Sequence, residues 1–265
     1  MSNDRDRWAA GSAYEDFMGR WSRRLAPLFV AWLRIPRGAH WLDVGCGTGA
    51  LTRAICGDAD PASVVGCDPS EPFIEFARGR VADSKANFRV AKASALPRRD
   101  GGYDSIASLL ALNFFPDTAA ALREMRSAAA AGGTVSACVW DYGQGMEMLR
   151  YFWDSAAALD AAARGLHEGA RFPLCRPAAL EAAFGAAELR DVRCEPLEIP
   201  TIFSGFEDYW RPLLGGTGPV PTYVASLDAE RRAALAERLE RALPRGTRGE
   251  IALTARAWAV RGIAG

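Results

Sequence analysis

Two carboxylates and three glycines near the start of the chain have the types and spacing of a nucleoside-binding site. The glycines are Gly45, Gly47 and Gly49, and Asp43 precedes the first of them by two residues. Glycine lets a backbone approach a ligand closely, and the helix that follows presents free N–H groups. Asp68 ends the next apolar run, where a carboxylate is placed to accept hydrogen bonds from ribose hydroxyls.

The glycine spacing fits two kinds of cofactor, and Asp43 favours one of them. Gly45, Gly47 and Ala50 satisfy the form that binds the pyrophosphate of a nicotinamide dinucleotide. However, a carboxylate directed into the turn would repel a pyrophosphate, whereas it would attract the ammonium group of an amino-acid moiety. The chain also lacks the Tyr-x-x-x-Lys pair of many nicotinamide oxidoreductases. An adenosine-type cofactor with an amino-acid tail is therefore favoured.

The first 140 residues alternate between apolar runs and helical patterns. Strands are predicted at residues 41–44, 63–67, 88–91, 103–109 and 133–140, and helices at 14–32, 50–56, 70–78 and 117–130. This alternation predicts right-handed βαβ units and an α/β fold with a doubly wound parallel sheet.

The second half of the chain lacks this regular alternation. Residues 190–197 and 250–260 alternate apolar and polar side chains and are predicted to be strands near a sheet edge. We expect a core of residues 1–140, 176–198 and 250–265, with a helical cap over the site formed by two insertions, 141–175 and 199–249. Aromatic side chains in the insertions either pack in the core or line an apolar pocket: Tyr151, Phe152, Trp153, Phe172, Phe203, Phe206, Tyr209, Trp210 and Tyr223.

Composition limits the function classes. The 32 basic and 32 acidic side chains balance, so the net field attracts neither nucleic acid nor an anionic membrane. The six cysteines are irregularly spaced and the first residues carry no apolar signal core, which indicates reduced thiols in the cytoplasm. No C-x-x-C pair occurs and the two histidines are far apart, so no metal site is expected.

Together these segments resemble class I S-adenosylmethionine-dependent methyltransferases, and more narrowly their small-molecule branch, often called type 11. The resemblance covers roughly residues 14–142. It is carried by Leu42–Gly49, Gly66–Ser70, Ala93–Pro97, Tyr103–Ile106, Leu112–Asp117, Ala121–Met125 and Met18–Ser22. It implies a seven-stranded Rossmann-like sheet, parallel except for one strand near an edge, and S-adenosyl-L-methionine as cofactor.

The resemblance also implies roles for individual positions. Asp43 and the backbone of Gly45 would hold the methionine part, Asp68 the ribose, Pro69 and Ser70 the adenine faces, and Ala93 and Ser94 its edge. Leu109 would lie beneath the sulfonium, and Tyr14 and Arg20 would either close over the cofactor or simply pack. One departure is Lys92, where relatives commonly have an acid for the adenine amino group. Either Ser94 or a backbone carbonyl replaces it, or the adenine is held more loosely.

Three residues are candidates for catalysis on an acceptor. His167 lies in the first insertion and titrates near neutrality, so it could act as a base or could be structural. Asp141 and Tyr142 directly follow the fifth predicted strand, at the carboxyl edge where open α/β sheets bind ligands.

The expected reaction is methyl transfer to the oxygen, nitrogen or carbon of a small organic molecule, with specialised metabolism as one setting. Two alternatives remain open: a protein that binds the cofactor without transferring methyl, and a nucleic-acid or protein methyltransferase. Balanced charge and the absence of an N-P-P-Y-like motif after the fourth strand weigh against a nucleic-acid substrate. No sequence feature indicates the acceptor atom or the oligomeric state.

Overall fold

The structure is a computed structural model that describes residues 14–215 and 218–265. The polar start of the chain, in which no signal core was found, lies outside the described residues. So do residues 216 and 217.

A seven-stranded sheet forms the centre of the described residues. Its order is β3-β2-β1-β4-β5-β7-β6, with parallel pairing from β3 to β5 and with β7 antiparallel to both of its neighbours. This confirms the predicted fold, in which one strand near the edge is reversed. The strands are β1 (His40–Val44), β2 (Ser63–Asp68), β3 (Ala86–Val90), β4 (Tyr103–Leu109), β5 (Ala129–Trp140), β6 (Arg190–Phe203) and β7 (Ile251–Ile263).

Helices connect the strands and fill the insertions. They are α1 (Arg20–Leu33), α2 (Ala50–Asp58), α3 (Glu71–Arg80), α4 (Thr118–Ala128), α5 (Glu147–Leu159), α6 (Glu168–Arg171), α7 (Pro177–Ala186), α8 (Phe206–Trp210), α9 (Pro219–Ser226) and α10 (Ala229–Ala242). A π-helical turn, Glu15–Gly19, leads into α1, and a 3-10 turn, Leu112–Phe114, follows β4.

The central strands are buried because helices cover both faces of the sheet. Trp41 and Leu42 of β1 and Ile106 of β4 are fully buried, which matches their continuous apolar sequence. Helix α1 packs against α2 and β6 through an apolar face that includes Trp21 and Phe29. Because β1, β2, β4 and β5 pair in parallel, their carboxyl ends lie at one edge of the sheet.

Several element boundaries differ from the prediction. The predicted helix at 117–130 ends at Ala128, and β5 begins at once with Ala129 rather than at 133. The predicted strand at 190–197 continues to Phe203, because it pairs with β7 along its whole length from Arg193. Residues 199–203, expected in the cap, therefore extend the sheet.

The two insertions pack against each other and against β7. Helix α5 of the first insertion contacts both β7 and α10 of the second. The buried Tyr209 hydroxyl donates a hydrogen bond to the Met148 carbonyl at 2.7 Å, which links α8 to α5. In the first insertion, α5 ends at Leu159, and the side chain of Asp160 caps a 3-10 turn, Ala161–Leu166. That the insertions cap the site stays a prediction.

Candidate active site

The carboxyl ends of four parallel strands surround a cavity of about 550 Å³. This volume lies within the range of pockets that bind small molecules. The cavity has two ends with different chemistry. The glycine turn after β1 and the acid that ends β2 form one, which we call the cofactor end; the segments that follow β4 and β5 form the other, which we call the aromatic end.

The glycine turn packs closely against the segment after β4 at Gly45 and faces open space at Gly47. Gly45 has φ of 72°, and a Cβ there would lie 2.6 Å from the Ala111 Cβ. The N–H groups of Gly45 and Cys46 both donate to the Cys67 carbonyl, which fixes the turn to the end of β2. Gly47 has φ of 50° and lines the cavity, where a Cβ would meet no atom within 4 Å. The turn thus leaves room for a ligand at Gly47.

Gly49 is predicted to bind the cofactor but lies outside the cavity lining. Its φ of 86° begins α2, and a Cβ there would lie 3.0 Å from Val81 Cγ2 and 3.3 Å from the Ala77 Cβ. The missing side chain lets the start of α2 pack closely against the end of α3. The structure therefore shows a packing role for this glycine.

Asp43 lies at the floor of the cofactor end with one carboxylate oxygen unpaired. The side chain is fully buried, and Oδ2 accepts a hydrogen bond from Thr52 Oγ1 at 2.7 Å. Oδ1 is buried and has no partner among the described residues. Burial raises the pKa of this carboxyl to about 7, and the hydrogen bonds from Thr52 oppose that rise only in part. A ligand that supplies a cation or N–H donor would satisfy the free oxygen.

Asp68 ends β2 beside the glycine turn, as the sequence predicts. Its Oδ2 accepts from the Gly47 N–H at 3.1 Å and its Oδ1 from the Ser70 N–H at 2.9 Å. Burial raises the pKa of the carboxyl, and these two N–H donors oppose the rise. Each carboxylate oxygen has a further lone pair, so the group can still accept from two hydroxyls.

The predicted adenine-binding residues also line this end of the cavity: Pro69, Ser70, Ala93 and Ser94. Leu109, which ends β4, lines it as well. Lys92 lines the cavity with an exposed side chain, so an ammonium group stands at the rim where relatives commonly have an acid. Phe73, which sequence reasoning missed, adds an aromatic wall on α3.

Tyr14 and Arg20, predicted together, lie in different places. Tyr14 lines the cavity, and its hydroxyl is hydrogen bonded to Ser22 Oγ at 2.7 Å. Arg20 does not line it. Its guanidinium binds Asp208 through two bonds of 2.7 and 3.2 Å and lies over the Trp21 ring at 4.3 Å. Arg20 therefore joins the N-terminal helix to α8.

Glu15 is a contact to the glycine turn that sequence reasoning missed. It accepts a hydrogen bond from Thr48 Oγ1 at 2.6 Å and pairs with Arg23. A Cβ at Gly19 would lie 2.6 Å from Glu15 Oε1, so the carboxylate folds back across this glycine. The contact depends on the π-helical turn, and the helical periodicity of this segment does not predict such a turn. Sequence reasoning therefore could not locate the contact.

Of the three catalytic candidates, only Tyr142 lines the cavity. Asp141 is buried and paired with Arg256 at 2.6 and 2.9 Å. His167 caps the start of α6 by accepting from the Gly169 N–H at 3.2 Å, and burial lowers the pKa of its ring. Asp141 and His167 therefore have structural partners and do not line the cavity.

Aromatic side chains form the other end of the cavity. Trp140 and Tyr142 come from the end of β5, and Phe114 and Phe115 from the turn after β4. The chain reaches that turn through Leu110, which is held at φ of 60°, a strained conformation for a leucine. Sequence reasoning named Tyr142 as a catalytic candidate but gave no wall role to Trp140, Phe114 or Phe115, because it looked for aromatic wall residues in the insertions.

Phe172 supports this aromatic end from behind. Its ring lies 5.2 Å from that of Phe114 and 5.9 Å from that of Tyr142, centre to centre. Such edge-to-face and tilted contacts fix ring orientation. Among the described residues of the two insertions, only Tyr142 lines the cavity. The first insertion therefore affects the cavity mainly through the packing of Phe172 against Phe114 and Tyr142.

Comparison with known proteins agrees with this geometry. Residues 42–137 match the family described as "Methyltransferase domain". They contain the glycine turn, the acid that ends β2 and the turn after β4. Residues 42–137 form a methyltransferase domain. The match confirms the resemblance to class I S-adenosylmethionine-dependent methyltransferases and supports S-adenosylmethionine as the cofactor of this domain.

Individual relatives cover parts of the chain. A demethylmenaquinone methyltransferase of Lactiplantibacillus plantarum is 33% identical over 101 residues, which are 36% of this chain and 43% of that protein. A trans-aconitate 2-methyltransferase of Variovorax paradoxus is 30% identical over 123 residues, 46% of this chain and 45% of that protein. The chain thus spans less than half the length of these two curated relatives.

A solved structure reproduces the fold over almost the whole chain. It is Haemonchus contortus phosphoethanolamine N-methyltransferase 2 in complex with S-adenosyl-L-methionine. The TM-score is 0.57 at 17% identity, and the match covers 95% of this chain and 56% of that one. It supports the architecture of the sheet and helices.

The cofactor end fits S-adenosylmethionine on three observations from the structure itself. The unpaired Oδ1 of Asp43 suits an ammonium group, the remaining lone pairs of Asp68 suit a ribose diol, and the open side of Gly47 leaves space between them.

In the described residues, no helix is long and apolar enough to cross a membrane.

Proposed function

We propose that the protein is an enzyme that transfers the methyl group of S-adenosylmethionine to a small organic acceptor. The observation that carries this proposal is the single cavity in which the cofactor end and the aromatic end meet. Asp43 and Asp68 supply the polar contacts at one end, and the aromatic side chains leave an acceptor-sized space at the other. Methyl transfer needs both compounds side by side.

Three features support a small acceptor. The cavity of about 550 Å³ must hold the cofactor as well, so the remaining space suits a small molecule. The balanced charge of the chain provides no general attraction for nucleic acid. The two relatives named above are, by their names, methyltransferases for demethylmenaquinone and trans-aconitate, both small organic molecules.

The work of the protein is mainly to position the reactants. The cofactor supplies a methyl group that is already electrophilic because it is bonded to a positively charged sulfur. Asp43 would hold the ammonium group and Asp68 the ribose, while Tyr14 would close the cavity from the N-terminal segment. Holding two reactants in line replaces a bimolecular encounter and accounts for much of the acceleration.

A second candidate function is cofactor binding without methyl transfer. It is favoured by the position of Asp141 and His167, which have structural partners and offer no base to an acceptor. The two functions differ only in turnover, so turnover decides between them.

The test combines binding with product formation. Calorimetry with S-adenosylhomocysteine should show binding, whereas NADH should give no heat. Incubation with S-adenosylmethionine and a panel of phenols, amines and carboxylic acids should then release S-adenosylhomocysteine. Binding without release for any acceptor would favour the second candidate, and binding of NADH alone would refute the proposal.

A further inference from the structure

Among the described residues, the aromatic end of the cavity carries no buried charge. Its aromatic walls are Phe114, Phe115, Trp140 and Tyr142, whose polar side-chain groups are the Trp140 indole N–H and the Tyr142 hydroxyl. Asp141 lies between two of these wall residues in sequence, but its carboxylate is paired with Arg256 outside the cavity.

The charged side chains that line the rest of the cavity are accounted for. Asp43 and Asp68 belong to the cofactor end. Lys92 and Asp117 are exposed at the rim, where Asp117 caps α4 by accepting from the Ala120 N–H at 2.8 Å. Burial also raises the pKa of the Cys46 thiol well above its usual value, which keeps it neutral.

This distribution disfavours charged acceptors at the aromatic end. Among the described lining residues, a carboxylate bound there would find no cationic side chain except Lys92 at the rim, and an ammonium group would find no acid outside the cofactor end except Asp117 at the rim. Burying an unpaired charge costs several kcal/mol. An uncharged acceptor avoids this cost.

The same distribution limits the nucleophile. The predicted bases Asp141 and His167 do not line the cavity, so the acceptor must lose its proton without their help. A phenolic hydroxyl has a pKa of about 10, as tyrosine does, and ionises far more readily than an aliphatic hydroxyl. A flat ring also suits a wall of aromatic side chains that Phe172 holds in fixed orientations.

We propose that the aromatic end binds an uncharged phenol as the methyl acceptor, an inference that rests on the proposed methyl transfer. The phenolic oxygen would form a bond to the methyl carbon while the carbon–sulfur bond breaks and its electron pair goes to sulfur. The hydroxyl proton would pass to water at the open side of the cavity. The products are an aryl methyl ether, S-adenosylhomocysteine and a proton.

Three ligands with the same phenol ring and different charge test the proposal by calorimetry. Methyl 4-hydroxybenzoate is uncharged, 4-hydroxybenzoate is an anion and tyramine is a cation at neutral pH. Titrated into the protein saturated with S-adenosylhomocysteine, the ester should bind at least tenfold more tightly than either charged ligand. Incubation with S-adenosylmethionine should then convert the ester to its methyl ether.

The outcomes separate this inference from the proposed function. Equal or tighter binding of a charged ligand would overturn the inference, and so would no binding of the three by a protein that binds S-adenosylhomocysteine. In both cases the proposed methyl transfer would stand. Failure to bind S-adenosylhomocysteine would instead refute the proposed function itself.

A substitution at the aromatic end tests whether the phenol binds there. Phe114→Ala removes a wall ring and should weaken binding of the ester at least fivefold, with unchanged affinity for S-adenosylhomocysteine. The matched control is Phe76→Ala, because Phe76 lies outside the cavity lining on α3 under Arg80. Equal loss of both affinities in Phe114→Ala, or no loss of either, would contradict the assignment.

Discussion

The two ends of the cavity are built by different means, although they adjoin. The cofactor end holds buried carboxylates whose oxygens are positioned by the backbone of the glycine turn, as Asp68 shows with Gly47 and Ser70. The described walls of the aromatic end carry no buried charge and are held by ring packing, as Phe172 shows behind Phe114. Hydrogen bonds to a buried charge demand fixed geometry, whereas apolar packing accepts many side chains of similar volume. The first end therefore has a recognisable sequence and the second does not.

The comparison is tested most strongly at Asp68. Asp68→Ala should weaken binding of S-adenosylhomocysteine by about 1 to 3 kcal/mol, roughly 5- to 150-fold, because it removes a buried acceptor for the ribose. Calorimetry measures the change. Asp60→Ala, at an exposed acid paired with Lys85, is the control and should bind normally. An unchanged affinity in Asp68→Ala would place the ribose elsewhere.

The pH dependence of cofactor binding sharpens the role of Asp43. Its pKa of about 7 means that the free protein carries a mostly neutral carboxyl below neutrality, whereas an ammonium ligand favours the charged form. Affinity for S-adenosylhomocysteine should therefore fall as pH drops below 7, by up to about tenfold per pH unit, and binding should release a proton. Asp43→Asn should remove this dependence, and a flat wild-type profile between pH 5.5 and about 8 would contradict the assignment.

The raised pKa of Asp43 also makes the stability of the free protein depend on pH. The unfolded carboxyl titrates near its usual value of 3.8, and the folded one near 7. The folded state thus holds more protons between these values. The contribution of Asp43 to the free energy of unfolding is therefore greatest below the lower value and falls as pH rises across the window.

A smaller effect is expected at Phe172, which touches the aromatic end without lining it. Phe172→Ala should loosen the rings of Phe114 and Tyr142 and raise the KM for the acceptor by about fivefold, the loss of roughly 1 kcal/mol of ring packing. The affinity for S-adenosylhomocysteine should not change. Steady-state kinetics with the acceptor found in the panel, together with calorimetry, measures both. Parallel losses would show that the two ends are not independent.

The smallest effect on binding is expected at Arg20. Because its guanidinium pairs with Asp208, Arg20→Ala should lower the free energy of unfolding by about 1 kcal/mol and leave S-adenosylhomocysteine affinity unchanged. Asp208→Asn should have a similar effect on stability, measured by urea unfolding. A tenfold loss of cofactor affinity in Arg20→Ala, with none in Asp208→Asn, would restore the predicted contact with the cofactor carboxylate.

Much of the fold was predictable because its signals are local. Continuous apolar strands and the helices between them are visible in the first 140 residues, and the reversed strand near the edge followed from family resemblance. Boundaries were less predictable where pairing decides them. β6 runs to Phe203 because β7 offers a partner for that length, and no residue near 197 marks an end.

The site shows the same division. Asp43, Gly45 and Gly47 at the cofactor end could be located from sequence because a strand end, a turn with positive φ and a following helix lie within a short segment. Gly49 has the predicted turn conformation but packs against α3 instead of the ligand. Phe114 and Phe115 could have been noticed, since they follow a strand that ends at the cavity.

The sequence by itself determined the backbone turn that approaches a cofactor and the acids beside it, because steric and hydrogen-bond requirements there act between near neighbours. Only the tertiary structure decided which charged side chains are already paired. Arg20 meets Asp208 across 188 residues, and Asp141 meets Arg256 across 115. Such pairs form when packing brings distant segments together, and they remove from the site groups whose chemistry the sequence had suggested.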